Sequence, residues 1–380
     1  MSTTARAAVL AAPGRLELRQ VELPRIGADD ALLRVEACGI CGTDLEQFRG
    51  AYTSFPAIPG HETVGLIAEI GDAARQRWQV APGDRVAVFP RFGCGHCAQC
   101  AAGNARACPD GGLYGFTSTD RAPGLWGGYA DYMYLAAGST VRRFRPDIPA
   151  EAAVLFNPLG SGYKWAVTVP GTRAGDDVVI LGCGQRGLAC LIAAREAGAR
   201  RIVITGTATD GHKLTLAREL GADAAVDVES ADVAGVVRDV TGGAGARVVV
   251  DTTPFATQPV IDAVEVAAPG GVVVLAGLKG QRPVSGLYTD SIVHKELTVI
   301  GVRGADNASM ERAARLIESG APQLSALHTH SFDIADAERA LQTLAGEVPG
   351  ARPISVTITP AGAQGAGPSA PSPAANPVRA

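Results

Sequence analysis

Four cysteines, Cys94, Cys97, Cys100 and Cys108, stand within fifteen residues in the spacing C-x2-C-x2-C-x7-C. Three closely spaced thiolates and a fourth one short loop away can complete a tetrahedral zinc site without strain, whereas a disulfide framework needs no such crowding of thiols. Four reduced surface thiols at this density would be an oxidation liability, which argues against uncoordinated cysteines. A set of four thiolates leaves no open coordination position. The metal it implies therefore shapes a lobe, residues 91–110, and cannot activate water or substrate. Any chemistry has to be found elsewhere in the chain.

At 380 residues the chain exceeds one comfortable core and reads as about two units, each able to bury a substantial apolar interior. The net charge of -4 provides no basic excess to neutralise phosphates, so a small molecule rather than nucleic acid is the expected partner. No apolar run approaches the ~18 residues of a membrane span, and Met1 to Leu10 lacks the apolar core of a signal peptide. Eight cysteines, half of them in a metal-type cluster, suit a reducing compartment. A cytoplasmic protein with no membrane partner is expected.

From Ala7 to about Tyr134 short β-type runs recur, among them Leu32 to Val35, Val64 to Ile70 and Arg85 to Phe89, separated by turns such as Ala81-Pro82-Gly83-Asp84. This is the pattern of a β-rich, barrel-like unit. After about residue 155 the rhythm becomes strand, helix, strand. The runs Val178 to Leu181, Ile202 to Thr205, Ala224 to Val226, Val248 to Val250, Val272 to Ala276 and Leu297 to Ile300 alternate with amphipathic stretches such as Leu188 to Ala197 and Lys213 to Leu220. Six such strands predict a doubly wound parallel sheet. The segment from Gly301 to about Thr359 carries a helix at Met310 to Glu318 and a β-like run at Ile354 to Ile358, and is expected to pack back on the first unit. Residues 361–380, rich in Ala, Gly, Pro and Ser with one charge, Arg379, read as a disordered tail. The fold class is α/β, divided 1–156, 157–300, 301–360 and 361–380.

Gly182-Cys183-Gly184-Gln185-Arg186-Gly187 is a G-x-G-x-x-G that follows an apolar strand and opens a helix, the context that gives the dinucleotide fingerprint its meaning. Its glycines permit a tight turn and let a pyrophosphate settle on the amides of the helix N-terminus. At the end of the next strand stands Thr205-Gly206-Thr207, with no carboxylate before Asp210. An acid there would accept the ribose 2′-hydroxyl of NAD and repel a 2′-phosphate, so its absence favours NADP while leaving NAD possible. Thr207, His212 and Lys213 are the candidate contacts to the extra phosphate. Lys213 reads equally well as a solvated residue on an exposed helix face.

A second cluster begins at Cys38-Gly39-Ile40-Cys41-Gly42-Thr43-Asp44 and continues at Gly60-His61-Glu62. Cys38 and Cys41 alone would suit a redox pair or two core thiols, and His61 alone a satisfied buried histidine. Together they look like half a metal site. The motifs G-I-C-G-T-D and P-G-H-E, the four-cysteine lobe and the G-x-G-x-x-G occur in the order found in zinc-dependent medium-chain alcohol and polyol dehydrogenases, which the chain resembles in all but its last twenty residues. The resemblance implies a GroES-like catalytic domain interrupted by a Rossmann domain, with a reactive zinc in the cleft between them. It also implies two zinc ions per chain and a nicotinamide cofactor. A homodimer or homotetramer is expected.

Carried over by position, the resemblance makes Cys41 and His61 ligands of the reactive zinc, with Glu62 a third ligand or a close outer carboxylate. Thr43 would relay the substrate proton, and Asp44 would orient His61 by accepting its second ring N–H. Asn157, in Phe156-Asn157-Pro158-Leu159, stands where relatives carry cysteine or glutamate and is a weaker, neutral donor. The expected set is therefore Cys41, His61, Glu62 and a water or substrate oxygen, with Asn157 nearby. Glu46 stands where relatives often have a histidine that completes the relay, and it either takes that role or is a solvated carboxylate. Arg186 replaces a small apolar residue of the glycine turn, while Gly42 stands where some relatives place a phosphate-binding arginine. Arg186 is expected to supply that charge.

The implied reaction interconverts a secondary alcohol (a polyol, sugar or amino alcohol) and a ketone by hydride transfer, an open zinc supplying Lewis acidity. Two rivals are a nucleotide-binding protein without catalysis and an NADPH-dependent double-bond reductase, which metal analysis would separate from it. Tyr52, Phe55, Arg91, Phe92, Tyr114 and Phe116 are candidate pocket residues, each with ordinary packing as the alternative.

Overall fold

The computed structural model describes residues 3–52 and 55–360. The stretch 361–380, expected to be a disordered tail, lies outside the described residues. The first strands are β1 (Thr4–Ala12), β2 (Arg15–Glu22), β3 (Ala31–Ile40), β4 (Glu62–Ile70), β5 (Arg85–Gly93), β6 (Gly112–Leu113), β7 (Tyr132–Leu135) and β8 (Gly138–Arg143). Next come β9 (Asp177–Leu181), β10 (Arg201–Gly206), β11 (Ala224–Asp227), β12 (Ala246–Asp251), β13 (Ala267–Leu275) and β14 (Thr298–Gly301), followed by β15 (His328–Phe332) and β16 (Ser355–Ile358).

β9 to β14 form one parallel sheet in the order β11-β10-β9-β12-β13-β14. The sequence direction reverses between β9 and β12, which opens a crevice at their carboxyl ends. All six expected strands are present. Their runs are continuously apolar because helices cover both faces, and every residue of β9 is buried. Each fully buried Val, Ile or Leu there contributes about 1.5–3 kcal/mol.

The remaining strands, apart from the β1–β2 ribbon, form a mixed sheet with the path β15-β16-β3-β4-β5-β6, with β7 joined to β3 and β8 to β5. β3 is buried along most of its length because both its faces are covered. Leu33, Val35 and Ile40 point into a cluster with Ile58, Phe92 and Met133. Ala37 faces the other way, with Val64, Ala87 and Phe89, into a core that continues through Leu155, Phe156 and Leu159 to Val178 and Ile180 of the parallel sheet. The two sheets thus share one apolar core. β16 returns late in the chain to pair antiparallel with β3, setting Val356 opposite Ile40 and Ile358 opposite Cys38.

A helix, Phe156–Tyr163, lies between the sheets, so the expected boundary at 156/157 falls within one element. Two of its glycines allow backbone-close packing. A Cβ at Gly160 would stand 2.8 Å from Met310 Cγ, and one at Gly162 would collide with the carbonyl of Ala189. Met310 belongs to helix Asn307–Glu318 and Ala189 to helix Gln185–Glu196, which follows the glycine turn. Polar contacts join the same parts: Gln185 Nε2 donates to Ser355 Oγ at 2.8 Å, and Arg142 pairs with Glu318 at 2.6 Å.

Candidate metal centres and nucleotide cleft

The four cysteines of the lobe converge, their sulfurs all lying within 4.8 Å of one another. Cys94 Sγ is 4.0 Å from Cys100 Sγ, and Cys97 Sγ is 3.8 Å from Cys108 Sγ. A tetrahedron with zinc–sulfur bonds of about 2.3 Å has edges of about 3.8 Å, so the cage fits zinc. Backbone amides point at the sulfurs: Cys97 N–H donates to Cys94 Sγ and Cys100 N–H to Cys97 Sγ, both at 3.4 Å, and Cys94 N–H to Cys108 Sγ at 3.2 Å. Donation from the His96 and Cys97 backbone brings the Cys94 thiol down to about 6, towards the thiolate that a metal requires. Gly93 is obligatory here, since a Cβ would strike Cys100 Sγ.

The second cluster forms where β3 ends and β4 begins. Cys41 caps helix Gly42–Phe48, and the buried Asp44 accepts the Cys41 N–H at 2.8 Å through Oδ2. Asp44 Oδ1 lies 3.3 Å from His61 Nδ1, while His61 Nε2 faces Cys41 Sγ at 3.4 Å. Glu62 pairs with Gly39 across the β3–β4 ladder and is fully buried. The metal-binding atoms of Cys41, His61 and Glu62 lie within 4.8 Å of one another. Glu62 Oε2 has no hydrogen-bond partner, and it sits where a Cβ at Gly39 would come within 2.6 Å. Burial raises the Glu62 carboxyl, against the pull of Arg186. Burial also disfavours a charged His61, yet Cys41 and Asp44 more than reverse this and raise it well above the ordinary range. An enclosed pocket of sulfur, imidazole and an unpaired carboxylate oxygen is one that calls for a cation, and the donor types suit zinc. Cys38 is not part of it. Its sulfur is buried against Thr63 Oγ1 at 3.4 Å, and burial pushes its thiol up, making it a core residue.

Thr43 Oγ1 lies 3.2 Å from Cys41 Sγ, at the mouth of this pocket. Glu46, one helical turn on, accepts from Tyr52 O–H at 3.2 Å and is therefore not simply a solvated carboxylate. Phe116 packs between Tyr52 and His61, with ring centres 5.1 and 5.5 Å away. Tyr52 and Phe116 thus wall the approach to His61. Phe92 and Tyr114 do not: both are buried in the barrel core with Trp126, Phe92 turned inward by β5 and Tyr114 by the chain that follows β6, and they drop out of the pocket set. Arg91 and Phe55 are partly buried.

At the nucleotide turn Gly182 has φ of 100°, and a Cβ at Gly187 would collide with the Gly182 carbonyl. Only glycine permits both the strand's abrupt end and the immediate start of the helix. The space beside Gly184 is open. Arg186 corrects the sequence expectation, since its guanidinium does not face the phosphate side. Its Nη1 donates to Asn157 O at 2.9 Å, Asn157 Oδ1 at 3.0 Å and Ser161 Oγ at 2.7 Å, and its Nη2 to Glu62 Oε1 at 2.5 Å. The sequence placed Arg186 in the right turn but could not give its direction.

The end of β10 holds a second surprise. Gly206 is buried, and a side chain there would strike Cys183 Sγ, so an acid at 206 would have no room. Thr207 donates to Asp210 Oδ2 through N–H at 3.2 Å and O–H at 2.9 Å, and Lys213 Nζ pairs with Asp210 Oδ1 at 2.8 Å. Lys213 is therefore held rather than solvated. Glu229, from the loop after β11, places Oε2 3.2 Å from the Ala208 N–H that donates to it. The sequence reading, which followed the chain only as far as Asp210, missed Glu229, which is brought beside Ala208 because β11 lies beside β10. At the end of β12 the buried Asp251 pairs with the partly buried Lys279 at 2.7 Å, a contact likewise not foreseen.

A closed cysteine cage, an enclosed Cys-His-Glu pocket and a glycine turn at a sheet reversal together define a zinc-dependent dehydrogenase. Comparison with known proteins agrees. Residues 27–146 match the alcohol dehydrogenase GroES-like domain and residues 187–319 the zinc-binding dehydrogenase domain. The chain is 48% identical over 361 residues to a Mycobacterium tuberculosis protein named "Probable alcohol dehydrogenase", covering 93% of this chain and 98% of that one. It is 32% identical over 375 residues to the erythritol/L-threitol dehydrogenase of Mycolicibacterium smegmatis, covering 94% and 98%. A crystal structure from Sinorhizobium meliloti 1021, named for zinc-binding dehydrogenase character and bound to NADP, superposes with a TM-score of 0.82 at 29% identity, covering 94% of this chain and 100% of that one. The chain belongs to the zinc-dependent medium-chain dehydrogenase family and is an enzyme of the alcohol dehydrogenase type, with a GroES-like domain and a Rossmann-type domain. No helix among the described residues is long and apolar enough to cross a membrane.

Proposed function

We propose that the enzyme interconverts a secondary alcohol, of the polyol, sugar or amino-alcohol kind, and the corresponding ketone, with a nicotinamide dinucleotide as hydride partner. The observation that carries this reading is the convergence of Cys41, His61 and Glu62 with an unpaired, buried Glu62 oxygen, beside the glycine turn. A zinc held there supplies the Lewis acidity that makes an alcohol easier to deprotonate and a carbonyl easier to reduce. Asp44 holds the His61 ring with Nε2 turned inward. Thr43 offers a hydroxyl that passes the substrate proton outward, with Glu46 and Tyr52 as the next polar groups. Phe116 and Tyr52 exclude water from one side. The glycine turn and the amides of helix Gln185–Glu196 would hold the pyrophosphate of such a dinucleotide, which supplies the hydride chemistry when bound. The lobe is the second zinc site and has no part in the chemistry.

NADP is the favoured cofactor on the strength of Lys213 and the lack of an acid on β10 itself, and the related structure bound to NADP supports this. Glu229 opposes it, and a 2′-phosphate would have to draw Lys213 from Asp210. The erythritol/L-threitol relative supports a polyol substrate. A homodimer or homotetramer is supported by β14, an edge strand mostly exposed, with Tyr288 and Val293 in the segment before it 78% and 71% exposed. Eight free thiols support a reducing, cytoplasmic setting.

The test is turnover of a panel of polyols, sugars and amino alcohols with NADP and NAD, alongside elemental analysis of the same protein. Two zinc ions per chain and activity on a secondary alcohol are expected. Full activity at a stoichiometry near one zinc would overturn the reading.

A further inference from the structure

Arg186 is a cation at a place where the nucleotide motif needs none, and it spends its donors on the metal side of the cleft. Three of its partners, Asn157 O, Asn157 Oδ1 and Ser161 Oγ, lie on helix Phe156–Tyr163; the fourth, Glu62 Oε1, lies across the cleft on β4. Its guanidinium also sits 6.0 Å from the ring centre of Trp165, which is anchored by donation from Nε1 to Gly304 O at 3.0 Å. The fork geometry of arginine lets it grip all of these at once, which a lysine could not do. As a result the two Glu62 oxygens are unlike: Oε1 is occupied, and Oε2 is buried with no partner. Asn157, whose amide oxygen is the other donor near the pocket, has that oxygen occupied too.

We propose that Arg186 is a positioning residue for the metal centre: it clamps Glu62 by Oε1 so that Oε2 alone is offered beside Cys41 and His61, and it holds Asn157 Oδ1 away from the ion. This rests on the reading of Cys41, His61 and Glu62 as a metal site. An uncompensated carboxylate in this enclosed pocket would either swing to chelate the ion through both oxygens or lose its fixed direction. Arg186 prevents both.

The experiment replaces the ion of this centre with Co2+, whose visible absorption reports ligand number and type, in protein whose lobe retains zinc. The part of the spectrum lost in Cys41→Ser belongs to this centre. Three results are expected: Asn157→Ala leaves these bands unchanged, Arg186→Met shifts them, and Arg186→Met weakens metal binding about 10- to 100-fold in a chelator competition. Adding Asn157→Ala to Arg186→Met should shift the bands again, since the freed amide reaches the ion only when the guanidinium is gone. Arg186→Lys keeps the charge without the fork and should give an intermediate loss; it carries the test if the methionine variant fails to fold. A band shift in Asn157→Ala alone overturns the proposal. So do parental bands and affinity in a folded Arg186→Met, or in Arg186→Lys where that variant stands in. If no cobalt signal depends on Cys41, the metal-site reading itself fails, and that outcome is distinct from either of these.

Discussion

The cysteine lobe and the Cys41 pocket both gather metal donors, yet they are built in opposite ways. All four donors of the lobe come from residues 94–108, and the amides that support the sulfurs belong to the same loop. The pocket draws Cys41 from the end of β3, His61 and Glu62 from the start of β4, and its outer contacts from residues 44, 157, 161 and 186. The lobe is partly exposed and has spent every position on sulfur; the pocket is enclosed and keeps one carboxylate oxygen unpaired. A short loop can organise itself around its ion. A reactive centre needs a prepared surrounding, which only the rest of the fold can supply.

The sharpest way to break this contrast is Cys94→Ser. Structural zinc binding, worth about 10–16 kcal/mol in zinc-finger peptides, is largely folding energy, so the variant should lose soluble yield or melt far below the parent. A thermal melt with zinc content checks it, and parental stability with reduced turnover would reverse the roles of the two sites. Cys41→Ser should do the opposite, melting close to the parent while turnover falls ~1,000-fold or more, since Lewis-acid assistance is worth several kcal/mol. Within the pocket, Thr43→Ala should slow turnover on the order of 100-fold and Thr43→Ser far less, because proton transfer needs the hydroxyl and not the methyl. Near-parental turnover in the alanine variant, with hydride transfer shown to be rate-limiting, would leave Thr43 a packing role only. The smallest effect belongs to the distant rim of the cleft. Glu229→Gln removes an exposed charge worth about 0.5–1 kcal/mol, so the ratio of kcat/KM for NADP over NAD should rise roughly two- to five-fold. An unchanged ratio would mean that Glu229 does not face the cofactor.

Features written locally were legible before folding. The lobe could be read from spacing, and β9 to β14 from apolar runs that only a sheet covered on both faces requires. The Gly182–Gly187 turn was equally plain, since its glycines answer steric demands within six residues. What stayed hidden depends on direction or on neighbours brought in by topology. Arg186 could be placed in the turn, but whether its side chain faced phosphate or metal was decided by how helix Gln185–Glu196 meets the cleft. Phe92 and Tyr114 lie near Arg91 and Phe116 in sequence, yet the pleat of β5 and the following loop send them into the core. Cys183 Sγ closes the space beside Gly206, and Glu229 is a neighbour of Ala208 only through the pairing of β10 with β11, neither of which local sequence records.

The contact of Gly162 with the Ala189 carbonyl bears on how the cleft can move. With no side chain between them, helices Phe156–Tyr163 and Gln185–Glu196 meet backbone to backbone, and neither can tilt or slide without a clash. Asn157 and Ser161 are therefore fixed in place against the helix that follows the glycine turn. Across the pocket Arg186 reaches from this helix pair to Glu62, while Gln185 meets Ser355 and the apolar core joins the two sheets behind it.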